Sequence, residues 1–192
     1  MKYFFLLVIT LFSIHLFAQQ KQFATDENGK FIYYKVVDSQ KINKEVIIQR
    51  TKGFVSSQKK SIKTVTKTDS SIFAKGTLII DKTVLVVGHP SGEVNYNLTV
   101  EARNGKYRFW LTDFEFIPYQ RDRYGNFVAT TNVGISLGRK VDKLTASQWK
   151  DIQVTAYSKV EKLAESLKTA IATDVLVKVP TKPIETISTK KW

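Results

Sequence analysis

The chain opens on an apolar run from Phe4 to Phe17, broken only by Thr10, Ser13 and His15, and turns polar at Gln19-Gln20-Lys21-Gln22. Beyond that point the hydrophobic period changes several times. Phe31 to Val37 is apolar and rich in β-formers, which predicts a first strand. Ile42, Val46 and Phe54 then fall near helical spacing, with Ser39 ahead of them as a cap and Gly53 loosening the end. Ser61–Thr68 and Ile72–Ile80 alternate well enough for two strands, the second turning near Asp81-Lys82. A short apolar run, Val84 to Val87, stops at Gly88-His89-Pro90, which places His89 in a surface turn.

The sharpest local signal is Asn104-Gly105, which lies between two alternating runs and is the preferred centre of a two-residue hairpin turn. Such a turn sets Arg103 opposite Lys106 and fixes the register behind it. Ala102, Val100, Leu98 and Tyr96 then face Tyr107, Phe109, Leu111 and Asp113 on an apolar side that belongs against a core. On the other side Glu101 meets Arg108, Thr99 meets Trp110 and Asn97 meets Thr112, so that face is wet and carries a tryptophan.

From Tyr119 to Val141 no clear period survives, and a structureless loop of that length is unusual enough to leave room for another hairpin. The strongest helix follows, over about residues 146–173. Thr145 and Gln148 have capping-box spacing, and Trp149, Ile152, Ala156, Val160, Leu163, Leu167 and Ile171 recur at steps of three and four. That stripe must lie across the sheet. Val175 to Val179 suggests a short strand at the start of a tail over residues 175–192. The order implies one α+β domain over residues 31–174: an antiparallel sheet with helices packed on one face, and a long C-terminal helix.

The segment Phe31-Ile-Tyr-Tyr-Lys-Val-Val, the run from Tyr96 to Phe109 and the turn Gly105-Lys106-Tyr107-Arg108 together resemble a bacterial exported family of domains of unknown function, described as having a TATA-binding-protein-like fold. The resemblance covers about residues 31–117 and implies a curved antiparallel sheet backed by helices. It implies no activity and brings no catalytic residues, and a fold name is not evidence of DNA binding.

Lys2, the short apolar run and the small residue Ala18 read as a secretory signal peptide over residues 1–18, followed by a flexible leader over residues 19–30. A spanning helix wants about 20 apolar residues, so a stable membrane anchor is not expected. The expected location is the periplasm or the outside of the cell. Cysteine is absent, which excludes disulfides and a lipid-modified cysteine. The net charge is +13, from 30 lysines and arginines against 17 carboxylates. Only six of those bases are arginines, the residues whose forks read phosphates and base edges. Nucleic acid is therefore not an expected partner, and a lysine-coated surface weakly drawn to anionic material is.

The catalytic vocabulary is thin. His89 is the sole histidine after residue 18, Ser91 sits two residues on, and no Gly-x-Ser-x-Gly elbow exists. One histidine without cysteine cannot furnish a transition-metal site, and no calcium loop is recognisable, so no cofactor is expected. Gly134-Ile-Ser-Leu-Gly138-Arg-Lys140 misses phosphate-loop spacing. Asp113 and Glu115 share one face of a strand and point the same way, whereas paired catalytic carboxylates converge across a bond. The more promising feature is the wet face, where Arg108, Trp110, Thr112, Phe114 and Phe116 share one parity. Uncovered, they would dock a protein, peptide or glycan; covered by the long loop or the tail, they are ordinary core. The expected function is a non-enzymatic binding or structural module, and the alternative is an envelope hydrolase using Asp113, Glu115 or His89.

Overall fold

A computed structural model describes residues 22–84, 87–143 and 145–173. The expected signal peptide, the start of the expected leader and the strand expected near Val175–Val179 lie outside the described residues. Among the described residues there are eight strands: β1 (Ala24–Thr25), β2 (Phe31–Asp38), β3 (Ile62–Lys67), β4 (Ser71–Val84), β5 (Val87–Arg103), β6 (Lys106–Arg121), β7 (Phe127–Ala129) and β8 (Ile135–Ser136). Helix α1 (Lys44–Ser57) follows β2, and helix α2 (Ala146–Ala172) follows β8. The strands form one open antiparallel sheet in the order β1-β2-β6-β5-β4-β3, with β7 and β8 pairing onto β6.

The Asn104-Gly105 turn forms as its chemistry requires. Gly105 takes φ +77°, and the pairs run from Arg103↔Lys106 to Asn97↔Thr112 in the expected register. There the simple alternation ends. The register shifts so that Asn95 faces Glu115, and Tyr96 alone spans Asp113 and Phe114. This is a β-bulge, and Asp113 supplies the left-handed residue it needs at φ +52°. Tyr96 is therefore not opposite Asp113 alone, as simple alternation requires. Beyond the extra residue every side chain of β6 changes face.

Two boundaries also move. The cap of α1 is Asn43 rather than Ser39: Asn43 Oδ1 accepts from the Val46 N–H at 3.1 Å, while the Ser39 N–H donates to Gly105 O at 2.7 Å and ties β2 to the hairpin turn. Strand β4 does not turn at Asp81. An irregularity between Ile80 and Asp81 leaves Ser91 without a cross-strand partner, Asp81 pairs with Pro90, and the pair continues to Val84↔Val87. His89 thus lies in β5, opposite Lys82, and not in a turn. The ill-patterned segment is indeed a hairpin, Tyr119–Arg121 with Phe127–Ala129, followed by the short β8.

One core lies between the helices and a single sheet face. Ala156, Val160, Ala164, Leu167 and Ile171 of α2, with Ile47, Ile48, Phe54 and Val55 of α1, pack on Ile72, Leu98, Val100, Phe109 and Leu111. Leu163, expected in the stripe, is only partly buried beside Ala164. The Thr145 capping box does not form, because the Thr145 hydroxyl donates back to Asp142 O at 3.2 Å and makes no bond to the helix. The first turns of α2 are held instead by Trp149 Nε1 and Gln153 Nε2, which donate to Leu137 O at 3.2 and 2.7 Å. At the other end, Arg50 of α1 donates to Ile171 O at 2.7 Å, placing a cation on the negative end of the α2 dipole.

Candidate functional site

Neither helix packs on the opposite sheet face, which is exposed around Tyr34 and Val36. Its rows follow from the strand registers. Tyr34, Trp110, Thr99 and Phe73 line up across β2, β6, β5 and β4, and Val36, Arg108, Glu101 and Ser71 form the next row. Tyr34 is 46% and Val36 56% exposed. The Tyr34 and Trp110 rings lie 6.5 Å apart, and the Arg108 guanidinium stands 5.3 Å from the Trp110 ring. Arg108 is held there by Glu101, whose Oε2 accepts from Nε at 2.7 Å and sits 2.6 Å from Nη2. The result is a fixed aromatic shelf with a cation along one side.

Of the five residues expected together, this face keeps Arg108, Trp110 and Thr112. Phe114 and Phe116 follow the bulge, lie on the helix side and are 3% and 5% exposed. Phe114 packs its ring 4.5 Å from Phe23, and Phe116 meets Trp149 edge-on at 5.9 Å. As parts of an exposed site they are corrected: they are core. Tyr34 and Val36 take their place, supplied by a strand whose sequence shows only that it is apolar. Their orientation could be read only once β2 was known to pair with β6.

Beyond the shelf the same face becomes a polar trough of about 580 Å³, lined among others by Lys63, Lys75, Asn95, Asn97, Asp113 and Glu115. Asp113 accepts from Lys30 Nζ at 3.0 Å and from Asn97 Nδ2 at 2.8 Å. The Lys30 hydrogen bond, reinforced by that of Asn97 and by the lysine charge, holds the carboxyl below its usual range against a smaller opposing effect of burial. A carboxyl so held is a poor general acid at neutral pH. Because the folded value is the depressed one, its contribution to stability is present above the unfolded value of about 3.9 and is lost as the pH falls through the folded value. Asp113→Asn keeps a residue tolerant of positive φ and removes the charge together with one of the two acceptor oxygens that Lys30 and Asn97 use. The difference in urea midpoint between wild type and this variant should be largest near neutrality, fall as the pH drops below the unfolded carboxyl value, and shrink in high salt.

The other chemical candidates are engaged elsewhere. His89 stacks on Phe127 with ring centroids 5.3 Å apart and planes 4° apart, and its Nδ1 lies 3.3 Å from Pro90 O. The Ser91 hydroxyl donates to Ile80 O at 3.0 Å. No base–nucleophile pair is formed between them. Among the described residues there is no group of three or more His, Asp or Glu placed to hold a metal ion, and no helix long and apolar enough to cross a membrane. A groove of about 640 Å³ follows the seam between α2 and the sheet, where Ile80, Asp81, Phe116 and Thr155 meet, and holds none of the shelf residues.

Residues 33–117 match the model of a family described as "Domain of unknown function (DUF4468) with TBP-like fold". Among solved structures, a DUF4468 family protein from Bacteroides ovatus is similar at a TM-score of 0.57 and 13% identity, over 77% of this chain and 90% of that one. A TBP-like protein from Parabacteroides distasonis is similar at 0.56 and 14% identity, over 77% of this chain and 96% of that one. These likenesses show the fold. No curated protein matches the chain.

Proposed function

Because residues 33–117 match the DUF4468 family with its TBP-like fold, and because no activity comes with that match, we propose that the chain is an exported, non-enzymatic binding module that receives its ligand on the open sheet face. One observation carries this reading: both helices pack on the same side of the sheet, leaving Tyr34, Val36, Arg108 and Trp110 arrayed on the other, where Tyr34 and Val36 are exposed among the described residues. Aromatic rings fixed by neighbours offer contact area at low entropic cost, which suits them to docking. The state of the alternative candidates supports the same choice. Asp113 is tied down by Lys30 and Asn97, and His89 is stacked on a phenylalanine. Export rests on the opening residues, whose polarity pattern is that of a cleavable signal.

The test is a screen of the purified protein against glycan and peptide libraries, read by Trp fluorescence and calorimetry. Ligands should be found whose affinity falls at least tenfold in Trp110→Ala and Tyr34→Ala, while circular dichroism and oligomeric state stay unchanged. Ligands indifferent to both variants would refute the site. Turnover of a glycan, peptide or ester that disappears in Asp113→Asn would replace the binding module by a hydrolase. N-terminal sequencing of the native protein should begin at Gln19, and a native protein that retains residues 1–18 would remove the export part of the reading.

A further inference from the structure

The open face carries its charge unevenly. Next to the row that holds Trp110, Thr112 of β6, Asn97 of β5, Lys75 of β4 and Lys63 of β3 lie in register on the same side. Lys63 and Lys75 are direct cross-strand partners, and both are exposed. Like charges set opposite one another on neighbouring strands destabilise a sheet. Edge lysines commonly guard a sheet against foreign strands, which accounts for Lys63; Lys75 lies on an inner strand with neighbours on both sides. Lys60, which lines the same trough, adds a third charge of that sign. None of the three has an ion-pair partner among the described residues. Asp113, the nearest carboxylate, is taken by Lys30, and Glu115 lies one row further on, opposite Asn95. The trough and its rim thus hold Lys30, Lys60, Lys63 and Lys75 against Asp113 and Glu115, with the excess placed where it repels itself. An anion laid along β3 and β4 relieves that repulsion.

The neighbouring side chains say what else that anion carries. Asn95 Oδ1 accepts from the Thr77 hydroxyl at 2.8 Å, and Asn97 Nδ2 donates to Asp113 Oδ2 at 2.8 Å. The Asn95 Nδ2 donors and the Asn97 Oδ1 acceptor are left without a partner among the described residues, two positions apart on one strand face. Groups that both donate and accept, as hydroxyls do, answer the pair. In the adjoining row Tyr34, Trp110 and Phe73 offer flat apolar rings. From the row of Glu101 to that of Asn95 the face runs six residues along β5, about 20 Å at the rise of a strand. A single small acid spans a fraction of that length. An extended peptide gains little here, because β4 and β5 are bonded to strands on both sides and present no free edge to its backbone.

Taking the docking reading of the open face as its basis, we infer that its ligand is a linear acidic polysaccharide. Sugar rings stack on Tyr34 and Trp110, hydroxyls bond to Asn95 and Asn97, and carboxylate or sulfate groups pair with Lys63 and Lys75. The aromatic rings supply contact at low entropic cost, the amides fix orientation, and the lysines select charge. Because the lysines stand in water, their share is screened by salt, and the share of the rings is not.

The probes are hexamers of galacturonate, of mannuronate and of a sulfated galactan, titrated into the purified protein at low ionic strength and followed by calorimetry and Trp fluorescence. At least one should bind, the uronates marking a preference for carboxylate and the galactan one for sulfate. The neutral form of the hexamer that binds, methyl-esterified or desulfated, should bind at least tenfold more weakly, and so should hexaglutamate, which has the charge without the rings. Lys63→Gln combined with Lys75→Gln should weaken the acid at least tenfold, flatten its salt dependence and leave the neutral form unchanged. That variant should also be at least as stable in urea as the wild type, since a repulsion has been removed; a less stable one would make the two lysines part of the fold and overturn their role. Trp110→Ala should weaken acid and neutral form alike. Lys52→Gln with Lys162→Gln, which removes equal charge from exposed helix positions, should change affinity less than twofold. Binding of none of the three acids overturns the inference; if a neutral glycan or a peptide then binds in a Trp110-dependent way, docking on the open face stands without it. Acid binding that needs Lys63 and Lys75 but survives Trp110→Ala and Tyr34→Ala takes the shelf out of the site, and both readings fall. Equal loss in the helix-lysine variant reduces the effect to net surface charge, and hexaglutamate binding as tightly as the sugars makes the partner an acidic protein. Either result overturns the polysaccharide.

Discussion

Phe114→Ala is expected to lower the unfolding free energy by about 3–5 kcal/mol, the usual cost of emptying a buried phenylalanine site, and Trp110→Ala by only about 1–2 kcal/mol. The two positions lie four apart on one strand, and strict alternation would put both on the same side. The bulge at Asp113 puts them on opposite sides. Phe114 is 3% exposed, with its ring tilted against Phe23 in the helix-side core. Trp110 leans on Tyr34 and Arg108 at a surface, so its loss removes contacts without leaving a closed cavity. Urea denaturation of the two variants, with midpoints compared at constant slope, decides the matter. Equal costs would mean that β6 keeps one parity throughout, and the open face would then have to be redrawn.

Gly76→Ala is the second large effect, about 2–4 kcal/mol for the addition of a single methyl group, which lies in the overpacking range. Gly76 faces Tyr96 across β4 and β5, and a Cβ built there would overlap the Tyr96 ring. The ring has nowhere to go, because Tyr96 is 2% exposed within the core. The glycine is thus the floor on which the aromatic side chain lies. If that is the cause, Gly76→Ala in a Tyr96→Leu background should cost at least about 1 kcal/mol less than in the wild type, a coupling that a double-mutant cycle measures directly. Tyr96→Phe provides a control that should cost little, since the tyrosine hydroxyl makes no hydrogen bond among the described residues. A Gly76→Ala protein as stable as wild type would show that the sheet relaxes around the added carbon.

How far these features could be read from the amino-acid order depends on how local their causes are. The hairpin at Asn104-Gly105 and its first pairs are legible because turn chemistry and alternation act within a few residues. The long helix is legible because its apolar stripe repeats through seven turns, and only the choice between Leu163 and Ala164 waits on the surface it meets. The bulge is not legible. Nothing in Leu111-Thr-Asp-Phe-Glu-Phe116 marks which residue is extra, because an aspartate in an alternating run is equally consistent with a strand position. That one omission is what assigned Phe114 and Phe116 to the wrong side. Tyr34 and Val36 were missed for a different reason: an all-apolar strand has no polar face until its neighbours are known. Asn43 and Ser39 are both good caps by residue type, and the choice follows from where the helix starts: at Lys44, directly after Asn43, with Ser39 still tied to the hairpin turn at the end of β2.

Asp113 acts on β6 as a frame-shift acts on a message. Upstream of it the odd-numbered side chains are read into the core, and downstream the even-numbered ones are. Deleting that one position would turn Phe114 and Phe116 out to water and force Glu115 inward, along with the attachment points of β7 and β8. Distant relatives should therefore be aligned separately on either side of it. Where identity has fallen to 13%, a gap misplaced by one residue at this point would equate the buried half of the strand in one protein with the exposed half in another.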